Sequence, residues 1–296
     1  MFTGLSAFPL TPLQNDSLDE PAFVRLIQRL AASGVDSVAV LGSTGSYAYL
    51  NPEERRRVVE LAAANAGAKP LIVGVGALRT SEVLANLRSA EDAGAAGLLL
   101  APVSYQALTD DDVYGLFRDV TDATDLPVIL YDNPGTTHFA FSNELYGRIA
   151  ELPGIASVKI PPVSAAAAPE RISAVRAAIP DHVSIGISGD GAAADALSAG
   201  CDAWYSVVAG ALPEPALRIM RAVKEGRQED AAAESARLSP LWNLFAEHGS
   251  LRVIAAAAEH LGLAGQDCLP LPVRGLKAEA RRQVARTVEA LELTAG

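Results

Sequence analysis

The chain has 296 residues, half of them hydrophobic but only 5% aromatic, so a large core is available and Ala, Val, Leu and Ile must fill most of it. A formal net charge of −11 without a basic patch excludes a partner held by its phosphate backbone, while a small anionic substrate stays open because a pocket can be positive on an acidic protein. The two cysteines, Cys201 and Cys268, form neither a metal-spaced pair nor a disulfide framework, Met1–Gly4 lacks the basic start of a signal peptide, and no apolar run reaches spanning length. A soluble, cytoplasmic chain with no membrane or nucleic-acid partner is expected.

Short apolar runs alternate with longer amphipathic segments over the first two-thirds of the chain. The runs cover residues 4–10, 37–42, 70–76, 97–102, 127–133, 155–161, 183–190 and 202–208. Each is too short for a helix, and most are rich in Val, Ile and Leu, as strands buried on both faces should be. Helical stretches between them include 19–33, 52–65, 81–93 and 110–122. Asn51-Pro52-Glu53-Glu54 supplies a cap, a first-turn proline and two acids, and Gly34, Gly67, Gly94 and Gly200 follow helix ends. Strands each followed by a helix imply parallel pairing through right-handed crossovers. The expected fold is a closed (β/α)₈ barrel with additional C-terminal helices. An open doubly wound sheet satisfies the same alternation, although eight strands is near the size at which such sheets close or split. After residue 208 the pattern changes, and 213–226, 228–247, 250–261 and 276–293 read as helices without intervening strands. Residues 1–226 are thus assigned to the barrel, and 227–296 to a helical extension packed on it as one structural unit.

Chemistry concentrates at one residue. Of the four lysines, Lys69 lies in a turn, and Lys224 and Lys277 sit in helices beside other charges. Lys159 lies within Ile155-Ala156-Ser157-Val158-Lys159-Ile160-Pro161, whose other residues predict a buried strand. An ammonium there is desolvated unless paired, and burial lowers its pKa. A neutral amine is what attacks a ketone to form an imine. The alternative is a lysine snorkelling to water at a strand end.

The ends of other strands decide between them, because barrel enzymes gather their reactive groups at the C-terminal rim. Strand two ends in Gly42-Ser43-Thr44-Gly45-Ser46, where tight backbone, adjacent N–H groups and the Ser43 and Thr44 hydroxyls suit a carboxylate. A plain strand-to-helix turn reads the same way. Strand five ends in Tyr131-Asp132-Asn133-Pro134-Gly135-Thr136-Thr137, and a phenol at a strand end can shuttle a proton, although tyrosine is also a common core residue. Strand seven ends in Ser188-Gly189-Asp190-Gly191, a loop that lets a ligand approach and that also suits a phosphate nest.

In combination these segments resemble the dihydrodipicolinate synthase / N-acetylneuraminate lyase family of pyruvate-dependent lysine aldolases, over nearly the whole chain. Gly42-Ser43-Thr44-Gly45 is similar to the family's Gly-[Thr/Ser]-Thr-Gly loop, Tyr131-Asp132-Asn133-Pro134 to its Tyr-Asn-x-Pro segment, Val158-Lys159 to its Schiff-base strand, and Ser188-Gly189-Asp190 to its seventh-strand loop. The resemblance implies that Lys159 is the nucleophile, that Tyr131 and Thr44 relay protons, and that Ser43 and Thr44 hold the pyruvate carboxylate. Gly189, Asp190, Thr136 and Tyr205 are grouped with them as substrate-binding. No metal or organic cofactor is implied; the partners implied are a 2-oxo acid, an aldehyde and further copies of the chain, as a dimer or tetramer.

The departures are specific. Thr136 stands where the lysine-pathway synthases place an arginine that binds the second substrate's carboxylate, and threonine supplies no charged bidentate clamp. Ser46 replaces the glutamate that follows the Gly-Thr-Thr-Gly loop. The tyrosine pair after strand four is represented by Pro102-Val103-Ser104-Tyr105, and Pro161 follows Lys159 where the sialic acid lyases carry threonine. Neither well-known specificity is reproduced. The alternatives are a non-catalytic 2-oxo-acid-binding barrel and an unrelated phosphate-handling barrel, the second of which leaves Lys159 unexplained.

Overall fold

A computed structural model describes residues 2–294. Eight parallel strands close into a barrel: β1 (Gly4–Ala7), β2 (Ser37–Val40), β3 (Leu71–Gly74), β4 (Gly97–Leu100), β5 (Val128–Tyr131), β6 (Ile155–Ile160), β7 (Ser184–Ile187) and β8 (Ala203–Ser206). Each strand pairs with its neighbours in sequence, and β1 pairs with both β8 and β2, so no edge is left. The barrel therefore replaces the open-sheet alternative. A small antiparallel hairpin just before the first helix pairs Leu13–Gln14 with Ser17–Leu18.

The strands are shorter than the apolar runs, for local reasons at each end. Pro9 cannot donate to a ladder, so β1 stops soon after the Phe8 N–H reaches the Ser206 carbonyl at 2.9 Å. Leu41 takes φ 56°, which turns the chain out of β2 and into the Gly42–Gly45 loop. The Gly42 backbone passes so close to Phe8 that a Cβ there would lie 2.7 Å from its ring.

Helices α1 (Glu20–Ala32), α2 (Pro52–Asn65), α3 (Thr80–Asp92) and α4 (Asp110–Thr121) follow β1–β4. Asp19, Asn51 and Thr109 cap the first, second and fourth through their side chains, with full capping boxes at Asn51/Glu54 and Thr109/Asp112. Beyond β5 come the turn α5 (Pro134–Thr137) and α6 (Asn143–Ala150); α7 (Ala168–Ala178), α8 (Ala193–Ser198) and α9 (Pro213–Lys224) follow β6, β7 and β8. Their buried faces meet the outward side chains of the strands, such as Val158 and Ile160 of β6. The inward side chains form a separate core that includes Phe8, Ile72, Leu99, Ile129, Ala203 and Tyr205.

The final helices are α10 (Gln228–Arg237), α11 (Ser239–His248), α12 (Ser250–His260) and α13 (Ala278–Ala290). The single helix expected over 228–247 is thus two. Pro240 has no N–H for the Ala236 carbonyl, and α11 restarts from Leu238 with Trp242 N–H bonded to the Leu238 carbonyl at 3.1 Å. This break lets α11 lie over the C-terminal mouth of the barrel, where Trp242 packs beside Gly191.

Candidate active site

A cavity of about 670 Å³ opens at the C-terminal ends of the strands. Its walls include Lys159, Tyr131, Tyr205, Ser43, Thr44 and Thr136, and the Ser188–Gly191 turn completes that side. All eight residues singled out in the sequence therefore border one space, which three different strands and three loops bring together.

Lys159 sits on β6, paired in register with Tyr131 of β5 and Gly186 of β7. Strand alternation sends Ser157 and Lys159 to the interior, two residues apart. The lysine side chain is 4% exposed, and its Nζ lies 3.9 Å from the Phe8 ring centroid, 4.0 Å from Tyr131 and 5.4 Å from Tyr205. The ring faces favour an ammonium, but burial dominates and brings the Lys159 pKa down to about 7, with the Asp190 carboxylate opposing the fall. Among the described residues Lys159 is the only lysine or arginine lining the cavity.

Tyr131 is 7% exposed; burial raises its phenol above the usual value, and the Ser43 hydroxyl beside it counters part of that rise. Ser43 in turn accepts a hydrogen bond from Asn133 Nδ2 at 3.4 Å, which ties the loop after β2 to the loop after β5. Thr44 is buried next to it. The backbone of this corner is fixed from behind by Arg55, whose guanidinium is buried and donates to the Gly74 and Gly76 carbonyls at 2.9 Å each. The same group lies 5.6 Å from the Tyr47 ring centroid, so one side chain holds both the end of β3 and the outer part of the Gly42–Tyr47 loop.

Two residues take positions that their sequence context did not reveal. Asp190 directs both carboxylate oxygens into the protein: Oδ1 accepts from Trp204 Nε1 at 3.0 Å and Ser206 Oγ at 2.8 Å, and Oδ2 from the Val208 N–H at 3.0 Å. It borders the cavity but spends its hydrogen-bonding capacity on the end of β8. Burial pushes its pKa up to about 6 against those bonds. Tyr205 points below Lys159, with its hydroxyl 2.7 Å from Ser157 Oγ and its ring in an edge-to-face contact with Phe8 at 5.9 Å. Gly186 makes that possible, since a Cβ there would lie 2.1 Å from the Tyr205 ring. Thr136 is exposed at the rim, its Oγ1 donating to the Asn133 carbonyl at 3.3 Å. Tyr105 is 90% exposed and Val103, not Tyr105, reaches the cavity.

Sequence reasoning missed Phe8, Tyr47, Asn133, Trp242 and Phe245, all of which line the cavity. Phe8 was discoverable as the inward residue at the end of β1. Trp242 and Phe245 carried a fainter signal, two aromatics three residues apart on one helix face in a chain with only two tryptophans. Among the described residues the buried hydroxyls of Ser46 and Ser188, also on the cavity wall, have no hydrogen-bond partner. No group of three or more His, Cys, Asp or Glu side chains among the described residues is arranged to hold a metal ion. No helix among them is long and apolar enough to cross a membrane.

Comparison with known proteins agrees with this fold. The profile of the dihydrodipicolinate synthetase family matches residues 1–291. The 4-hydroxy-tetrahydrodipicolinate synthase of Gluconacetobacter diazotrophicus is 34% identical over 287 residues, 96% of this chain and 95% of the relative. That of Hyphomonas neptunium is 32% identical over 295 residues, 98% and 99% of the two chains. The crystal structure of dihydrodipicolinate synthase from Agrobacterium tumefaciens superposes with a TM-score of 0.95 at 48% identity, covering 98% of each chain. The chain belongs to the dihydrodipicolinate synthetase family.

Proposed function

We propose that this protein is a lyase in which Lys159 forms a Schiff base with pyruvate or a related 2-oxo acid and presents the resulting enamine to an aldehyde. The observation that carries the reading is the placement of Lys159, a lysine 4% exposed on an inward strand position, with its amine against a cavity. A snorkelling lysine would reach water and leave the ring faces of Phe8 and Tyr131, whereas this amine lies about 4 Å from both.

The chemistry follows from the groups present. The neutral Lys159 amine adds to the 2-oxo carbon, and loss of water from the carbinolamine gives the imine. The Ser43 and Thr44 hydroxyls hold the carboxylate and so orient the ketone toward Nζ. The protonated imine withdraws electrons, and a C3 proton leaves to give the enamine. Tyr131, packed against Nζ and beside Ser43, carries protons between these steps, with Thr44 as the second member of the relay. Carbon–carbon bond formation with an aldehyde, then hydrolysis, frees the lysine; the reverse sequence cleaves a longer 2-oxo acid. Gly189 borders the substrate, and Asp190 acts from behind the wall, through the end of β8 and its charge near Lys159. Assembly as a homo-oligomer and a cytoplasmic location belong to the same proposal, supported by the family and by two buried free thiols, Cys201 and Cys268.

Intact mass after incubation with pyruvate and borohydride tests the reading. A single adduct mapped to Lys159, and none in Lys159→Ala, is the expected result; normal trapping in Lys159→Ala overturns it. The non-catalytic alternative is separated by turnover with an aldehyde.

A further inference from the structure

The cavity is far larger than its reactive corner. Pyruvate has six heavy atoms, whereas about 670 Å³ lies in the middle of the range that accommodates drug-sized ligands. The space beyond the Lys159 corner is walled by the C-terminal helices and by the loops facing them. Trp242 and Phe245 of α11 form an aromatic pair with ring centroids 5.7 Å apart. The indole turns its polar edge away, with Nε1 donating to the Ser235 carbonyl at 3.0 Å, so carbon faces the cavity. Leu251, Val103, Pro162 and the half-exposed Tyr49 continue this surface.

No charged group is available to a ligand on that side. Lys159 is the only lysine or arginine on the wall among the described residues, and it belongs to the reactive corner. Asp190, also on the wall, has committed its carboxylate to Trp204, Ser206 and Val208. Thr136 sits at the rim with a neutral hydroxyl bonded to the Asn133 carbonyl. A carboxylate carried into this chamber would lose water and meet no cation, which is costly. An alkyl or aryl chain would gain from burial at about 25 cal/mol per Å² of apolar surface.

We infer that the acceptor of this enzyme is an uncharged aldehyde with an apolar alkyl or aryl substituent, seated against Trp242 and Phe245; the inference rests on the Schiff-base reading of Lys159. In the forward direction the C3 carbon of the pyruvate enamine bonds to the aldehyde carbon. The aldehyde oxygen takes a proton to become a hydroxyl. Water then hydrolyses the imine and releases a 4-hydroxy-2-oxo acid with an apolar tail, so that pyruvate and the aldehyde account for every product atom. In the reverse direction the same site cleaves such an acid.

Two measurements on the full chain separate the inference from the reading beneath it. Exchange of the pyruvate C3 protons for deuterium, followed by NMR, reports enamine formation without any acceptor. Aldol addition is then measured with benzaldehyde and hexanal against succinic semialdehyde, which carries a carboxylate. The expected result is exchange, together with a kcat/KM for the apolar aldehydes about 100-fold or more above that for the carboxylated one. Trp242→Ala raises KM for benzaldehyde about tenfold or more, and Trp242→Phe restores most of it. Exchange with a preference for succinic semialdehyde, with no aldehyde accepted, or with an unchanged benzaldehyde KM in a folded Trp242→Ala variant overturns the inference and leaves the pyruvate chemistry standing. Absence of exchange overturns the Schiff-base reading, and the inference with it.

Discussion

The sharpest consequence of the buried lysine is a pH dependence. Burial brings Lys159 from the ordinary 10.5 to about 7, so at pH 7 about half of its amines are neutral, against roughly one in 3,000 for an unperturbed lysine. With the neutral amine as the proposed nucleophile, kcat/KM for pyruvate C3 exchange should rise with pH and level off above about 7. That parameter reports the free enzyme, so the limb belongs to Lys159 before substrate binds. Asp190 supplies the control: its carboxylate favours the ammonium, and Asp190→Asn should move the limb to lower pH. The same variant cannot accept from both sides of the β8 end, and an unsatisfied Val208 N–H costs about 1–3 kcal/mol of stability, readable by urea unfolding. The assay is NMR-monitored exchange from pH 5.5 to 10 at constant ionic strength. A limb still rising above pH 9, or one that Asp190→Asn shifts upward, would refute the burial argument.

Tyr131→Phe keeps the ring against Lys159 and removes the phenol; adduct formation should persist while turnover falls about 100- to 10,000-fold, and unchanged turnover in steady-state assays removes Tyr131 from the relay. Gly186→Ala forces a methyl into the Tyr205 ring and disturbs its 2.7 Å bond to Ser157, so a loss of about 1–3 kcal/mol is expected by denaturant unfolding. Lys159→Met removes a buried ammonium. The folded pKa lies below the unfolded one, so between about 7 and 10.5 the unfolded chain binds more protons and stability rises with pH. The penalty is therefore complete below about pH 7, and the stabilisation from Lys159→Met should be largest at pH 6 and shrink by pH 9.5; an equal gain at both, by urea midpoints, contradicts a buried charge.

The strands and their order were legible because burial on both faces leaves a simple signal, short runs of Val, Ile and Leu spaced by amphipathic helices. Their ends were not. Leu41 at φ 56° and the proline at position 9 act on the backbone, where hydrophobic patterning is silent. The break at Leu238 was legible in principle from Pro240, but the apolar spacing runs through it. In the site, Lys159 stood out because it is chemically out of place on an apolar strand, whereas Tyr131 gained weight only beside the other strand-end segments. Asp190 shows the limit of that reasoning: residue type and position suggested a ligand contact, whereas its partners Trp204, Ser206 and Val208 lie 14 to 18 residues away and appear only on folding. Trp242 and Phe245 were hidden for a similar reason, since nothing local marks a helix face that will cover a distant barrel mouth.

That covering arrangement divides the labour of the site. Lys159, Tyr131 and the Ser43–Thr44 loop hang from paired strands, where ladder hydrogen bonds and Arg55 fix their positions. The chamber opposite hangs from α11 and the start of α12, which meet the reactive corner across the cavity and touch its supports through the turn at Asp190–Ala192. A substitution at Trp242 or Phe245 is therefore expected to alter what can lie beside the proposed enamine while leaving Lys159, Tyr131 and the Ser43–Thr44 loop in place. On the proposed reading, imine formation and acceptor choice fall to different elements of the chain, so that family membership speaks to the first while the side chains over the mouth must be read to learn the second.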